Sequence, residues 1–414
     1  MAEKLQLISM FSGCGGMDYG FEAAGFETAV ALEIDPTCCA TLRANRRWPV
    51  IEADIFSVAT REILRTAGLR AGEPDVLIGG PPCQPFSKSG YWVRGDSGRL
   101  QDPRANTLGA YMRVVEEARP RAFVLENVTG LAYAGKDEGL QHLLEQIAAI
   151  NRRAGTNYRP HFRVLKAAEH GVPQLRERFF LVASRDGREF TFPKPAFGES
   201  SRGEQGVFEV GVPAYRTAWD ALGDLPAFPD DEDLAVRGRW ADLLPSVPEG
   251  SNYLWHTDRG GGMPLFGWRR RFWNFLLKLA KDRPAWTIQA QPGPSVGPFH
   301  WNNRRLSIRE LCRIQTFPDD VQVVGNRVAA QRQIGNAVPS LLAEVIGREV
   351  ARQLLERRGG RGRLRLLPPD RSPAPPPEPV RAVPEKFHRL AGSQTAHPGT
   401  GRGFGAVARL RASA

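Results

Sequence analysis

Residues 5–21 read LQLISMFSGCGGMDYGF, an apolar run followed by a glycine-rich turn and a helical pattern. The apolar run predicts a buried strand, and Gly13, Gly15 and Gly16 allow the backbone to turn sharply and to approach a ligand closely. A dinucleotide-binding turn needs the pattern Gly-x-Gly-x-x-Gly, but Asp18 occupies the third glycine position. The stretch therefore predicts a strand–turn–helix unit, which either binds a ligand without a diphosphate or is a tight turn with no ligand.

The alternation of apolar runs and amphipathic segments continues to residue 184. It predicts further strands over residues 28–33, 75–79, 122–126, 158–166 and 178–184, and helices over residues 106–118 and 139–150. Alternating strands and helices predict an α/β fold with a mainly parallel sheet that is covered on both faces. Ligands of such sheets bind beyond the carboxyl ends of the strands.

A cysteine between prolines follows one of these strands, in residues 79–87, which read GGPPCQPFS. Rigid prolines hold the Cys83 thiol in one place, which a nucleophile needs and core packing does not. The alternative is a buried packing cysteine. The five cysteines have neither the spacing of a zinc site nor that of a disulfide framework, so we predict no metal site and a reducing compartment.

Charged side chains follow other predicted strands. Glu33 lies where a carboxylate typically binds ribose hydroxyls, and Asp54 is placed to accept a hydrogen bond from an adenine amino group, although either acid alone is more often a solvated loop charge. Glu126 follows a buried strand, where desolvation raises the pKa of a carboxyl and prepares it to protonate a ring nitrogen. Arg176 and Arg178 share one face of an extended segment, either as surface ion pairs or as a clamp for an anion or a base oxygen.

The remaining chain divides into three parts. Residues 185–303 lack a regular pattern and predict a smaller, loop-rich domain, after which residues 304–357 return to the first domain, residues 1–184. Residues 358–414 are rich in Pro, Gly and Arg and are predicted to be disordered. We expect truncation after Arg357 to leave specificity intact.

Charge and hydropathy are less informative. The C-terminal 358–414 segment carries 11 basic and 3 acidic residues, so it accounts for +8 of the total net charge of +11. Global charge is therefore weak evidence that the folded part binds nucleic acid. No apolar run approaches the ~20 residues of a membrane span, and no signal peptide is evident. These observations predict a cytoplasmic protein without membrane contact.

Six motifs in this order resemble those of the cytosine-5 DNA methyltransferase family, of the bacterial restriction-modification type. They are FSGCGG at 11–16, PPCQ at 81–84, ENV at 126–128, QLRER at 174–178, RRLSIRE at 304–310 and QIGNAVP at 333–339. The resemblance implies a Rossmann-like, S-adenosylmethionine-dependent catalytic domain with a DNA-recognition domain. It also implies a monomer that modifies duplex DNA, with a cognate restriction endonuclease in the same system.

The resemblance also implies a role for each site residue. Cys83 would add to carbon 6 of a flipped cytosine and Glu126 would act on ring nitrogen 3, while Arg178 would hold the carbonyl oxygen with Arg176 nearby. S-adenosylmethionine would contact Phe11, Gly13, Gly15, Glu33, Asp54, Pro81, Asn336 and Val338. DNA would contact Gln84, Ser87, Lys88, Arg94 and Arg99 near a closing loop. In the recognition domain Arg269, Arg270 and Arg271 are candidates for guanine contact, although phosphate contact or a solvated surface is the commoner role of such arginines.

Three other functions were weighed. A transfer-RNA cytosine-5 methyltransferase on the same scaffold is disfavoured, because the 185–303 domain is longer than such an enzyme is expected to need. A non-enzymatic DNA-binding protein is disfavoured because Cys83, Glu126 and Asn336 are all present. A nicotinamide oxidoreductase is disfavoured by Asp18 and by the lack of a diphosphate loop.

Overall fold

The computed structural model describes residues 4–82, 106–132, 138–199, 212–228, 233–267, 272–357 and 362–392. Its centre is a sheet of seven strands, β1 to β6 and β8, and a separate pair is formed by β7 and β9. The strands are β1 (Leu5–Met10), β2 (Phe26–Glu33), β3 (Val50–Glu52), β4 (Val76–Gly79), β5 (Ala122–Asn127), β6 (His161–Lys166), β7 (Gln174–Leu175), β8 (Glu177–Ser184) and β9 (Ala285–Trp286).

The main sheet has the order β3-β2-β1-β4-β5-β8-β6. Strands β1 to β5 pair in parallel, whereas β8 is antiparallel to both β5 and β6. The predicted mainly parallel sheet is thus confirmed. From β1 the chain extends to β2 and β3 on one side and later to β4 and β5 on the other, so the crevice beside β1 is the expected ligand site.

Helices cover both faces of this sheet, as predicted. On one face α3, α4 and α5 pack against β2, β4 and β5, and on the other face α1 and α9 pack against β1, β4 and β5. The helices are α1 (Gly16–Ala23), α2 (Pro36–Asn45), α3 (Thr60–Ala67), α4 (Asn106–Ala118), α5 (Glu138–Ala154), α6 (Ala218–Leu222), α7 (Ile308–Ile314), α8 (Arg327–Asn336) and α9 (Ser340–Gln353). Among the described residues, no helix is both long and apolar enough to cross a membrane.

Helices α1 and α9 lie unusually close together, although they come from opposite ends of the chain. A Cβ atom on Gly16 would lie 2.5 Å from the carbonyl oxygen of Val338, and one on Gly20 would lie 2.2 Å from that of Ser340. Only glycine fits at these two positions, because a larger side chain would push the helices apart. The glycine-rich turn is therefore fixed against the end of α8 and the start of α9.

Between β8 and α7 lies the stretch predicted to be a separate recognition domain, residues 185–303, which we call the recognition segment. Its described part is rich in loops, with α6, β9 and short 3₁₀ turns at Ala241–Ser246 and Tyr253–His256. A separate cluster of buried aromatic and aliphatic side chains stabilises it, and Trp240, Tyr253, Phe266 and Phe275 pack edge to face or tilted in that cluster. The segment therefore has a core of its own, built from rings rather than from regular elements.

The prediction of disorder for residues 358–414 is wrong for residues 362–392, which we call the C-terminal strap. Leu364, Leu366 and Leu367 pack against the catalytic core, and Phe387 is buried in the aromatic cluster of the recognition segment. A segment with so few apolar residues cannot bury a core alone. The strap is ordered because it adds its few apolar side chains to two cores that already exist.

Candidate active site

The glycine-rich turn opens the carboxyl edge of β1. Phe11, Gly13 and Gly15 all have a positive φ, and Gly15 caps α1 in a left-handed conformation. A Cβ atom on Gly13 would have no neighbour within 4 Å, so open space adjoins the turn. This combination of a sharp turn and open space fits a ligand that approaches the backbone closely.

Glu33 ties this turn to the end of β2. Its Oε2 atom accepts a hydrogen bond from the Gly13 amide at 2.7 Å, and its Oε1 atom accepts from the amides of Ile34 and Asp35 at 2.9 Å each. A carboxylate has about four lone-pair sites, so these three bonds leave capacity for a hydroxyl donor. The geometry is compatible with the predicted ribose contact, and it also gives Glu33 a role in holding the turn.

The other predicted cofactor residues lie around the same edge. Asp54 is exposed beyond β3, and Pro81 is buried beyond β4. Asn336 ends α8 with an exposed side chain, and Val338 is buried beside Gly16. The ends of β1 to β4 thus lie along one edge of the sheet, and the α8–α9 turn packs against that edge through Val338 and Gly16.

Two apolar residues at this edge were missed by the sequence analysis. Ile34 directly follows Glu33 and is 59% exposed, while Phe56 lies two residues after Asp54 and is 53% exposed. Their strands, β2 and β3, are neighbours in the sheet. Large apolar side chains in such positions are suited to contact a flat base. The signal available was an apolar residue within two positions of each carboxylate, Glu33 and Asp54.

The backbone that leads to Cys83 is described as far as Pro82, and Cys83 itself lies outside the described residues. The Asn127 side chain donates a hydrogen bond to the Pro81 carbonyl at 3.2 Å, and the Thr107 hydroxyl donates to the Pro82 carbonyl at 3.1 Å. A Cβ atom on Gly80 would lie 2.7 Å from Glu126 Oε2. The turn that carries Cys83 therefore begins against the Glu126 carboxyl.

The other four cysteines are poor candidates for a nucleophile. Cys14, Cys38, Cys39 and Cys312 are buried and form no disulfide. Burial raises the pKa of the Cys14 thiol well above its ordinary value and that of Cys39 to about 12. Because the thiolate is the reactive form, these thiols are inert near neutral pH.

Glu126 forms a buried ion pair with Arg178. Arg178 Nε lies 2.9 Å from Glu126 Oε1, and antiparallel pairing of β5 with β8 brings the two residues together. Burial raises the pKa of the Glu126 carboxyl above its ordinary range, and the nearby charges of Arg178 and Arg176 only partly oppose that rise. The predicted increase is thus confirmed, and it suits Glu126 to donate a proton.

Arg176 is held by backbone carbonyl groups. Its guanidinium is almost fully buried and donates to the carbonyl oxygens of Gly335 at 2.8 Å, Ala337 at 2.9 Å and Ile288 at 3.3 Å. Arg176 and Arg178 nevertheless line the same cavity, so a place for Arg176 near the base stays a prediction. A buried cation is stabilised by the free carbonyls at the end of α8, so Arg176 fixes the turn that presents Asn336.

A cavity of about 400 Å³ opens beside Arg178. The catalytic domain contributes Thr129, Lys166 and Arg178 to its lining, and the recognition segment contributes Tyr215 and Thr287. The cavity therefore lies where the two parts of the chain meet. The predicted DNA contacts lie outside the described residues: Gln84, Ser87, Lys88, Arg94, Arg99, Arg269, Arg270 and Arg271.

Comparison with known families identifies this arrangement. Residues 5–352 match the family model for the C-5 cytosine-specific DNA methylase. The chain belongs to that family. The resemblance based on six motifs is confirmed. This chain, which we call the methylase, is a DNA (cytosine-5-)-methyltransferase.

Individual relatives agree with this identification. The methylase is 43% identical to the Type II methyltransferase M.SacI of Streptomyces achromogenes, over 87% of this chain and 96% of that one. It is 33% identical to the Type II methyltransferase M1.HphI of Haemophilus parahaemolyticus, over 84% and 87% of the two chains. The matches thus cover nearly the whole length of these proteins.

Solved structures share the fold of the methylase. The Entamoeba histolytica methyltransferase EhMeth has a TM-score of 0.55 and 14% identity, and the match covers 85% of this chain and 99% of that one. A structure described as a DNA modification methyltransferase encoded within an E. coli prophage has a TM-score of 0.61 and 20% identity, with 85% and 100% covered. The predicted methyltransferase fold is confirmed, and S-adenosylmethionine dependence follows from the family and the fold.

Proposed function

We propose that this methylase modifies one cytosine within a specific duplex DNA sequence, after flipping the base and adding Cys83 to its carbon 6. One observation carries the proposal. The buried Glu126 carboxyl, with its raised pKa, is paired with Arg178 and lies against Gly80, three residues before Cys83. The proposed proton donor and a cation thus lie where the turn that leads to Cys83 begins.

The chemistry requires covalent help because carbon 5 of cytosine is a weak nucleophile. In this proposal the Cys83 thiolate forms a bond to carbon 6 while Glu126 donates a proton or hydrogen bond to ring nitrogen 3. Arg178 holds the carbonyl oxygen, and the electron density that the thiolate adds collects at carbon 5. Carbon 5 then bonds to the methyl group of S-adenosylmethionine as the sulfur–methyl bond breaks, which leaves S-adenosylhomocysteine. Loss of the carbon-5 proton and expulsion of the Cys83 thiolate then restore the aromatic ring.

Base flipping is needed to give the Cys83 thiolate access to carbon 6 of the cytosine. Carbon 6 is covered inside a stacked duplex, and extrusion of the base costs a few kcal/mol. The cavity beside Arg178 offers space at the boundary between the catalytic and recognition parts, and Lys166 adds positive charge there. We propose that the flipped nucleotide enters this cavity and that the recognition segment contacts the flanking duplex.

The biological role proposed is protection of host DNA in a Type II restriction-modification system. The relatives named above are Type II methyltransferases and are similar over most of their length. A restriction endonuclease with the same recognition sequence is the expected functional partner, with the methylase acting as a cytoplasmic monomer.

The test combines substrate choice with adduct trapping. Tritiated S-adenosylmethionine is supplied with either duplex DNA or transfer RNA, and we expect label in DNA. Duplex containing 5-fluorocytosine should trap a covalent adduct that Cys83→Ser abolishes and the control Cys38→Ala retains. Label in RNA alone, or an adduct that persists in Cys83→Ser, would contradict the proposal. Bisulfite sequencing of host DNA then gives the recognition sequence.

A further inference from the structure

The C-terminal strap attaches to both halves of the molecule. It begins beyond residue 352, where the family match ends, so the family motifs do not account for it. In its course from Gly362 to Gly392 it passes from the catalytic helix α9 to the recognition segment. Three groups of contacts hold it.

The first attachment is to α9. The Glu344 side chain is fully buried and accepts hydrogen bonds from the amides of Arg365 at 2.8 Å and Leu366 at 2.9 Å. Beside it, Leu367 contacts Gly171 and lies in the apolar cluster that α9 shares with the sheet. Strap backbone therefore satisfies a buried carboxylate of the catalytic domain.

The second attachment lies at the entrance to the recognition segment. The Arg371 amide donates to Asp220 Oδ1 in α6 at 2.6 Å, and the Arg371 guanidinium lies 2.8 Å from Asp224. Asp224 also pairs with Arg313 of α7 at 3.3 Å. The strap thus joins a network that spans α6, in the recognition segment, and α7, in the returning catalytic chain.

The same stretch completes a buried charge cluster. Lys281 and Glu249 are each 4% exposed and lie 2.8 Å apart. Lys281 Nζ also donates to the carbonyl of Pro376 at 3.0 Å and to the carboxylate of Glu378 at 2.9 Å. An ammonium group has three N–H donors, and the strap supplies two of the three acceptors. Without the strap, a buried cation of the recognition segment would lose most of its partners.

The third attachment is in the aromatic cluster. The Phe387 ring is 4% exposed and stacks on Trp240, with ring centroids 5.7 Å apart and an interplanar angle of 17°. Val383 and Leu390 pack around the same cluster. The far end of the strap is therefore part of the recognition-segment core.

We propose that the strap is a positioning element, which holds the recognition segment at a fixed orientation to the catalytic site and so sharpens discrimination between DNA sequences. This inference rests on the proposed function. A chain anchored to both parts limits how far they can rotate relative to each other, and loosening either end weakens that limit. The expectation that truncation after Arg357 leaves specificity intact is therefore replaced by its opposite.

The experiment releases one end at a time. Leu367→Ala loosens the catalytic end, Phe387→Ala loosens the recognition end, and Val380→Ala, at an exposed strap position, is the matched control. Each folded variant is compared in kcat and KM for duplex DNA, in methylation of the cognate site against sites that differ by one base pair, and in S-adenosylmethionine affinity by calorimetry.

We expect each release to raise KM for DNA. We also expect it to lower the ratio of methylation at the cognate site to methylation at the altered sites about fivefold, which corresponds to ~1 kcal/mol. The double variant should add little, because both changes remove the same constraint. S-adenosylmethionine affinity and kcat at saturating DNA should stay at the wild-type value, and Phe387→Leu should recover discrimination. These results would separate positioning from general stabilisation.

Three outcomes would overturn the inference: unchanged discrimination in both variants, an effect of Phe387→Ala alone, or a parallel loss of S-adenosylmethionine affinity. Methylation by the wild-type enzyme shows which of the two proposals has failed. If the wild type does not methylate duplex DNA at all, both the proposed function and the proposed role of the strap are contradicted. If the wild type methylates DNA specifically and the variants are unchanged, only the proposed role of the strap is contradicted.

Discussion

Asp18 is expected to destabilise the methylase at neutral and alkaline pH. Its side chain is fully buried in the first turn of α1, and among the described residues neither carboxylate oxygen has a hydrogen-bond partner. The Ser9 hydroxyl lies 2.8 Å from the Ser12 hydroxyl. Burial raises the pKa of Asp18 from 3.8 to about 7, although Ser9 and the backbone oppose the rise.

The sign and size of the effect follow from proton linkage. Below about pH 4 the carboxyl is protonated in both the folded and unfolded states, so it does not affect the unfolding equilibrium. Between about pH 4 and pH 7 only the unfolded state loses the proton, so stability falls as the pH rises. Above about pH 7 the full cost of roughly 4 kcal/mol is present, because each pKa unit corresponds to about 1.4 kcal/mol.

The perturbation is Asp18→Asn, which keeps the shape of the side chain but cannot ionise. Urea unfolding at about pH 4.5 and at about pH 8 should show that the free energy of unfolding of the variant, relative to wild type, rises by about 3 kcal/mol between the two. Ser9→Ala is the control, since it leaves the carboxyl in place and should keep or steepen the wild-type dependence. A difference between Asp18→Asn and wild type that does not vary with pH would refute the reasoning.

Three other substitutions test the site and its frame. Glu126→Gln should lower kcat by about 10²- to 10⁴-fold in single-turnover assays while DNA binding is kept, because it removes the proton donor. Glu310→Gln should lower the free energy of unfolding by about 3–5 kcal/mol, measured in urea, since Arg304 bonds both Glu310 oxygens, at 2.6 and 2.8 Å, in a buried site. Gly20→Ala should lower it by about 2 kcal/mol or more, because the new methyl group would lie 2.2 Å from the Ser340 carbonyl oxygen.

Each of these substitutions has a matched control in the chain. Glu27→Gln changes an exposed carboxylate near the start of β2 and should leave kcat within about twofold of wild type. Glu52→Gln breaks an exposed ion pair and should cost less than about 1 kcal/mol. Gly293→Ala meets only an ordinary contact at 3.5 Å, so it should be tolerated. An effect of a control equal to that of its partner would contradict the corresponding argument.

Local patterns predicted the catalytic fold well. Helix α4 has the predicted bounds of residues 106–118, and β5 extends the predicted strand by one residue, to Asn127. The position of Glu126 and the rise in its pKa were also predictable, because a carboxylate at the end of a buried strand is desolvated whatever its distant partners are. These features depend on a few consecutive residues, which a sequence shows directly.

Features that depend on distant partners were not predictable. The direction of the Arg176 side chain depends on carbonyl groups about 160 residues away along the chain, at the end of α8. The order of the strap depends on cores that other segments build, and a composition rich in Pro, Gly and Arg gave no indication of them. Sequence reasoning located the chemistry of the site but missed what fixes its orientation.

The close approach of α1 to α9 has a consequence for how the enzyme is made. Gly16 and Gly20 leave the ribosome before Val338 and Ser340, against which they pack and which are added more than 300 residues later. The crevice at the carboxyl edge of β1 therefore cannot be completed until the recognition segment has been translated. A nascent chain released early would lack one wall of the crevice, so active enzyme appears only with its recognition segment attached.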